Sequence, residues 1–178
     1  MPKLIAFLRA VNVGGHTVTM AALRGHFEAL GFTDVETFIA SGNVIFSSSA
    51  RDTGAIAKKI EARLHASLGY EVKTFIRTAA EVAAVAGYQP FTAAARESAG
   101  AFSVGFLTEP LSAEARKAVM ALTTAIDDFH VQGREVYWIC KKRQGESTVS
   151  NMSFEKAVKV RITFRNVRTV ARLAARHS

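Results

Sequence analysis

The first 77 residues place strand and helix signals in an order that few folds accommodate. Lys3 to Arg9 is an apolar run of strand length, and the loop Ala10-Val11-Asn12-Val13-Gly14-Gly15 follows it. Thr19 then stands where a helix N-cap is needed, ahead of an apolar stripe of Met20, Leu23, Phe27 and Leu30, with Gly31 as a left-handed stop. Val35–Ala40 and Val44–Ser47 read as two strands joined through Ser41-Gly42-Asn43, where Gly42-Asn43 suits a two-residue hairpin turn. Asp52 or Thr53 opens a second helix with Ile56, Ile60, Leu64 and Leu68 four apart, Gly69 closes it, and Glu71–Arg77 is a further strand. The order is βαββαβ, the ferredoxin-like arrangement.

The same order restarts downstream. Thr78 and Glu81 form a capping-box pattern at the head of an alanine-rich helix that runs to Gly87. Residues 88–100, with Pro90 and no periodicity, read as a connection between two halves. Ala101–Thr108 is then a strand, Ser112 caps a helix to about Thr124, and Asp128–Gln132 with Glu135–Cys140 make a hairpin about Gly133-Arg134. The tail reads as a short helix at Ser153–Val158, the segment Thr163–Asn166, and a last helix to Arg176 for which Asn166 is the N-cap. The expected fold is therefore α+β: two tandem ferredoxin-like subdomains with antiparallel sheets, residues 1–87 and 101–178, the second exchanging its last strand for a helical C-terminal tail. Such a repeat of topology without repeat of residues points to internal duplication.

Charge is distributed as unevenly as the topology is regular. Residues 1–133 contain 12 Lys+Arg and 12 Asp+Glu, whereas residues 134–178 contain 11 and 3, so the whole net charge of +8 lies in the tail. A clustered positive field attracts nucleic acid, phosphorylated ligands or acidic partners; a solvated basic helix face is the plainer alternative. Arg165, Arg168, Arg172 and Arg176 recur at three- or four-residue spacing as if on one face of the last helix, and Lys141-Lys142-Arg143 follow a strand in which Trp138 shares the apolar face of Val136 and Cys140. The expected nucleic-acid contacts are Lys141, Lys142, Arg143, Arg168, Arg172 and Arg176, with Trp138 assigned to the core.

In a ferredoxin-like sheet the first and third strands are antiparallel neighbours, so the exit of strand one meets the turn between strands two and three. Arg9, Asn12, Gly14 and Gly15 are thus expected near Ser41, Gly42 and Asn43. A guanidinium, two amides, a hydroxyl and glycine N–H groups at one edge suit an anion. They suit structure equally: Gly14-Gly15 let a loop turn, Gly42 serves the hairpin, and Asn12 caps neighbouring backbone. The glycines match neither a dinucleotide fingerprint nor a Walker loop.

Other chemistry is scarce. Cys140 is the only cysteine, which rules out an intrachain disulfide and a cysteine-based metal site and reads as an inert packed thiol. The five histidines have no ligand spacing, and no serine sits in a nucleophile elbow. No catalytic residue, metal or cofactor is expected. The apolar run Leu4–Leu8 is too short for a signal-peptide core and nothing approaches a membrane span, so a cytoplasmic protein without membrane partners is the expectation.

The motifs Arg9-Ala10-Val11-Asn12-Val13-Gly14-Gly15, Met20 with Leu23, Gly31-Phe32, Val35, Thr37, Ser41-Gly42-Asn43-Val44 with Phe46, and Thr163-x-Arg165-Asn166 with Thr169 occur in one order along the chain. Together they resemble the bacterial domain-of-unknown-function family 1697, whose members carry Gly-Ile where this chain has Ala10-Val11. The resemblance implies two tandem ferredoxin-like subdomains and no established activity. It also implies that Thr163, Arg165 and Asn166 belong with the Asn-Val-Gly-Gly and Ser-Gly-Asn motifs in one polar, anion-holding cleft. The alternative is that Arg165 and Asn166 cap helices and lock the subdomains. Three functions stay open: a non-catalytic polyanion-binding protein, with nucleic acid first; an enzyme or sensor for a small phosphorylated or carboxylated metabolite; and a protein-interaction module of unknown oligomeric state.

Overall fold

A computed structural model describes residues 2–12, 15, 17–38 and 42–177. The protein is α+β, with two four-stranded antiparallel sheets, helices on each, and a C-terminal helix. It divides into two compact units, Met1–Ala84 with Arg172–Ser178, and Val85–Ala171.

The first sheet uses β1 (Lys3–Leu8), β2 (Thr33–Thr37), β3 (Asn43–Ser47) and β4 (Thr74–Thr78) in the order β2-β3-β1-β4, with α1 (Met20–Ala29) and α2 (Thr53–Leu68) as the crossovers. The capping signals act as the spacing predicts. Thr19 Oγ1 accepts from Ala22 N–H at 3.0 Å, Asp52 Oδ1 accepts from Ala55 N–H at 3.1 Å, and Gly69 closes α2 at φ +84°. Leu4, Ala6, Leu8, Val44, Phe46 and Ile76 turn one sheet face toward Leu23, Phe27, Ile56, Ile60 and Leu64 of the helices. At its centre Phe27, Phe32 and Phe46 meet with ring centroids 4.6–6.1 Å apart; truncating such a ring to alanine costs about 3–5 kcal/mol. The opposite face, with Ile5, Phe7, Ile45, Phe75 and Arg77, is buried as well.

The first hairpin differs from the expected two-residue turn. Phe38 N–H donates to the Asn43 carbonyl and Thr37 pairs with Val44, so Asn43 is a strand residue and the connection is longer. Pairing with the neighbouring strand decides this, because Asn43 sits opposite Phe7 of β1 and its Nδ2 donates to the Phe38 carbonyl at 3.1 Å.

After α3 (Ala79–Gly87), whose box is complete in both directions between Thr78 and Glu81, the expected connection holds a short helix, α4 (Ala93–Glu97), capped by Thr92. The second unit then runs β5 (Ala101–Phe106), α5 (Ala113–Met120), β6 (Asp127–Gln132), β7 (Glu135–Cys140), α6 (Asn151–Val158), β8 (Thr163–Asn166) and α7 (Val167–His177). Its sheet order is β6-β7-β5-β8. The second half therefore keeps its last strand: Thr163–Asn166, expected as part of a helical tail, pairs antiparallel with β5. Four residues carry too little periodicity to announce a strand; pairing makes them one. Gln132 pairs with Glu135 around Gly133 at φ +56°, the two-residue turn the pattern predicts. Helix α5 ends at Met120, short of Thr124, whose hydroxyl donates to Asp127 Oδ2 at 2.7 Å and accepts from Ile126 and Asp127 N–H.

Matched positions of the two sheets carry matched hydrogen bonds. Leu8 N–H donates to the Gly42 carbonyl, and Leu107 N–H to that of Arg134. Thr74 N–H donates to Glu61 of α2, and Ile162 N–H to Glu155 of α6, each at 2.9 Å. Arg77 Nη1 donates to the Ile76 carbonyl, and Arg165 Nη1 to that of Phe164, each at 3.0 Å. Volumes differ where one would look: Ala6 pairs with Ile76, whereas its counterpart Gly105 pairs with the larger Phe164 and would bring a Cβ within 2.5 Å of Ile162 Cδ1.

Asp127 is the polar node of the second core, 2% exposed. It accepts from Trp138 Nε1 at 2.8 Å, Thr124 Oγ1 at 2.7 Å and Ser147 Oγ at 2.8 Å. Trp138 is a core residue, stacked on Phe129 at 5.8 Å. Burial opposes the Asp127 charge, but bonds from Thr124, Trp138, Ser147 and Cys140 outweigh it and hold the carboxyl below its ordinary value. Cys140 is buried, and burial pushes its thiol up.

Two outcomes follow for chemical denaturation. Gly105→Ala lowers unfolding free energy by about 1–3 kcal/mol through overpacking, and Ile162→Val, which removes the nearest clashing methyl, restores part of it in a double-mutant cycle. Asp127→Asn costs about 1–3 kcal/mol at neutral pH. Because the folded-state pKa of Asp127 is depressed, its contribution is full above the unfolded carboxyl pKa of about 4 and is lost as pH falls below it. The gap between wild type and variant therefore narrows on acidification.

Candidate functional site

The exit of β1 gathers the polar residues of the first unit. Leu8 N–H donates to the Gly42 carbonyl at 2.8 Å, Phe7 lies opposite Asn43, and Arg9 N–H donates to the Lys73 carbonyl at 2.9 Å. Arg9, Gly42 and Asn43 are thus brought together, as antiparallel neighbours require. Gly42 has φ +100°, a conformation that favours glycine. Gly14 and Ser41 lie outside the described residues.

Hydrogen bonding assigns several of these groups to the fold. Asn12 Oδ1 accepts from Val18 N–H at 2.7 Å, and Tyr70 Oη donates to the Val11 carbonyl at 2.6 Å, so the loop after β1 is pinned at two points. Gly15, at φ +83°, is exposed between them. Asn43 is 3% exposed and its amide holds Phe38. Among the described loop residues, Asn12 is exposed and Arg9 is half-buried.

In the second unit Thr163, Arg165 and Asn166 form one strand end. Arg165 Nη1 donates to Thr163 Oγ1 at 2.6 Å and to the Phe164 carbonyl at 3.0 Å. Burial draws its pKa down to about 10, which leaves the guanidinium charged at neutral pH. Asn166 Oδ1 accepts from Arg168 N–H at 2.8 Å and caps α7. Arg165 belongs to β8, so it is not part of the arginine face of the last helix as its spacing had implied. The sequence reading missed Arg77, the counterpart of Arg165 in the first unit and 1% exposed. The available signal was an arginine directly before a helix cap, Arg77-Thr78 and Arg165-Asn166.

The basic residues separate into two groups. Arg172 and Arg176 stand over the Phe38 ring at 5.7 and 5.5 Å, and Arg176 Nε pairs with Glu36 at 3.2 Å. These contacts lie within the first unit, and both side chains remain exposed. Lys141, Lys142 and Arg143 are exposed at the exit of β7, and exposed Arg168 follows β8. Since β7 and β8 both run antiparallel to the β5 strand between them, they leave the sheet at the same end, two strand spacings or about 10 Å apart. Arg96 of α4 precedes the entry of β5 at that end and is exposed too. Gly100 N–H donates to the Cys140 carbonyl at 2.8 Å, and a Cβ there would fall 2.5 Å from the Lys142 carbonyl carbon, so this glycine lets the two segments touch. Three acidic groups nearby have local hydrogen bonds, Asp127 in the core, Glu146 with Arg143 N–H at 3.1 Å, and Asp128 with Phe129 N–H, while Glu97 beside Arg96 is exposed.

Among the described residues no cluster of His, Cys, Asp and Glu could hold a metal ion, and no helix is long and apolar enough to cross a membrane. No curated protein matches the sequence. The fold is similar to that of the conserved bacterial protein SP0830 from Streptococcus pneumoniae, with a TM-score of 0.73 and 24% identity over 99% of each chain. A family model described as a protein of unknown function (DUF1697) matches residues 1–137, which takes in the loop after β1, the first hairpin and the second one as far as Tyr137, and on that match the chain belongs to the DUF1697 family.

Proposed function

We propose that the chain is a non-catalytic binding protein for a polyanion, with nucleic acid the first candidate, built from two ferredoxin-like copies that arose by duplication. The duplication is supported by the matching sheet orders and by the three pairs of equivalent hydrogen bonds. The observation that carries the binding proposal is the cationic end of the second sheet. Lys141, Lys142, Arg143, Arg168 and Arg96 are all exposed there, while the carboxylates of Asp127, Asp128 and Glu146 are committed to local hydrogen bonds. Side chains without a fixed partner can follow a phosphate backbone at little cost in rearrangement.

A small phosphorylated or carboxylated metabolite held by Arg9, Asn12, Ser41, Asn43 and Arg165 has less support, because the Asn43 amide and the Arg165 guanidinium already serve buried backbone.

The test is fluorescence anisotropy of a labelled single-stranded oligonucleotide against salt. With four or so phosphates neutralised, the slope of log K on log salt is expected near −3, about −0.7 per contact. Substituting Lys141, Lys142 and Arg143 together by alanine should flatten it by about two units. Arg172→Gln with Arg176→Gln should change the slope less than the triple variant does, and instead lower the melting temperature through the lost contacts to Phe38 and Glu36. Absence of binding at low salt, or a slope indifferent to the triple substitution, overturns the proposal.

A further inference from the structure

The second unit contains a cavity of about 280 Å³ that meets the candidate site residues of the sequence at Arg168. Its floor is apolar and buried: Val85 of α3, Val104 of β5, Tyr137 of β7 and Val170 of α7. Half-buried Tyr88 and Phe102 form its walls, with the Tyr88 and Tyr137 rings 5.4 Å apart. The rim is different in kind. Arg96, Arg168 and Gln89 line it and are exposed.

The polar atoms of the wall are already used. Tyr137 Oη donates to the Val85 carbonyl at 3.2 Å, and burial, reinforced by Glu135 and Tyr88, pushes its phenol far up, so it stays protonated. Tyr88 Oη lies 2.8 Å from His130 Nε2 and 3.3 Å from Gln132 Oε1, so its hydroxyl is turned to β6. The two tyrosines therefore offer the cavity ring surface and not hydroxyls. Aromatic walls accept a flat apolar body, and a rim with two guanidiniums selects for negative charge. The volume lies just below the range of drug-sized sites, about 300–1,000 Å³, and suits one or two fused rings.

We infer that this cavity is a binding site for a small organic anion with a flat, largely apolar body and a single acidic head, the body between Tyr88, Phe102 and Tyr137 and the head between Arg96 and Arg168. The site is independent of the polyanion reading, although Arg96 and Arg168 stand at both, and it does not involve the Asn-Val-Gly-Gly loop.

The experiment is calorimetric titration of the whole chain with naphthoate, naphthyl phosphate and the neutral naphthalenemethanol. At least one of the two anions is expected to bind at submillimolar concentration and at least about tenfold more tightly than the alcohol. The tighter of the two identifies the head group. Arg96→Gln and Arg168→Gln should each weaken anion binding roughly three- to tenfold, as exposed charges do, and leave the alcohol unaffected. Ala86→Trp, which fills the cavity from α3, should abolish binding of all three compounds while the oligonucleotide salt slope is retained. Should that variant not fold, the two arginine substitutions decide alone. Equal binding of acid and alcohol, no binding of either anion at millimolar concentration, or anion binding indifferent to both arginine substitutions overturns the assignment.

Discussion

Each unit is referred to its first strand, and the antiparallel pairing of that strand on both sides is the constraint from which the rest follows. β1 pairs with β3 and β4, and β5 with β7 and β8, so neither central strand has a free edge. Pairing satisfies the backbone along both edges, and both faces of the first sheet are covered as well. In β1 this removes the usual alternation of strand patterning: Leu4 to Leu8 are all buried. The same pairing puts the exits of both flanking strands at one end of the sheet and their entries at the other, which is why loops distant in sequence meet at each end.

Burying both faces has a consequence for arginine. Arg77 and Arg165 occupy the same position on the fourth strand of their sheets, where a guanidinium loses water and needs fixed acceptors. Each uses the carbonyl of the residue before it, Ile76 or Phe164. Charge placed this way organises a strand end and the helix cap that follows. Exposed charge lies in the segments beyond, at Lys141 to Arg143, Arg168 and Arg96. The basic residues of the tail differ in their surroundings, since Arg172 and Arg176 contact Phe38 and Glu36 while staying exposed.

Much of the fold was legible from short-range signals. The caps at Thr19, Asp52, Thr78, Ser112 and Asn166, the glycine closing α2, and the Gly133 turn act within four residues of themselves, so sequence spacing reports them directly. The strand Thr163–Asn166 and the role of Asn43 were not legible, because each is defined by a partner strand more than 30 residues away. For the candidate sites the division is similar. The meeting of Arg9 with Gly42 and Asn43 follows from topology alone. The cavity beside Tyr88 does not, since its lining comes from α3, α4, β5, β7 and α7, which tertiary structure brings together.

The sequence by itself determined most of the order of elements, most helix caps, most of the core and the location of the excess charge, because these depend on periodicity and on contacts within a turn. Tertiary structure decided what each polar or charged group does. Asn12 and Asn43 became loop staples, Asp127 the anchor of Trp138 and Arg165 a strand-end bond, whereas Lys141, Lys142, Arg143 and Arg168 kept their charge in water. The reason is that the state of a polar side chain is set by the donors, acceptors and solvent around it, and those are supplied by pairing between distant segments.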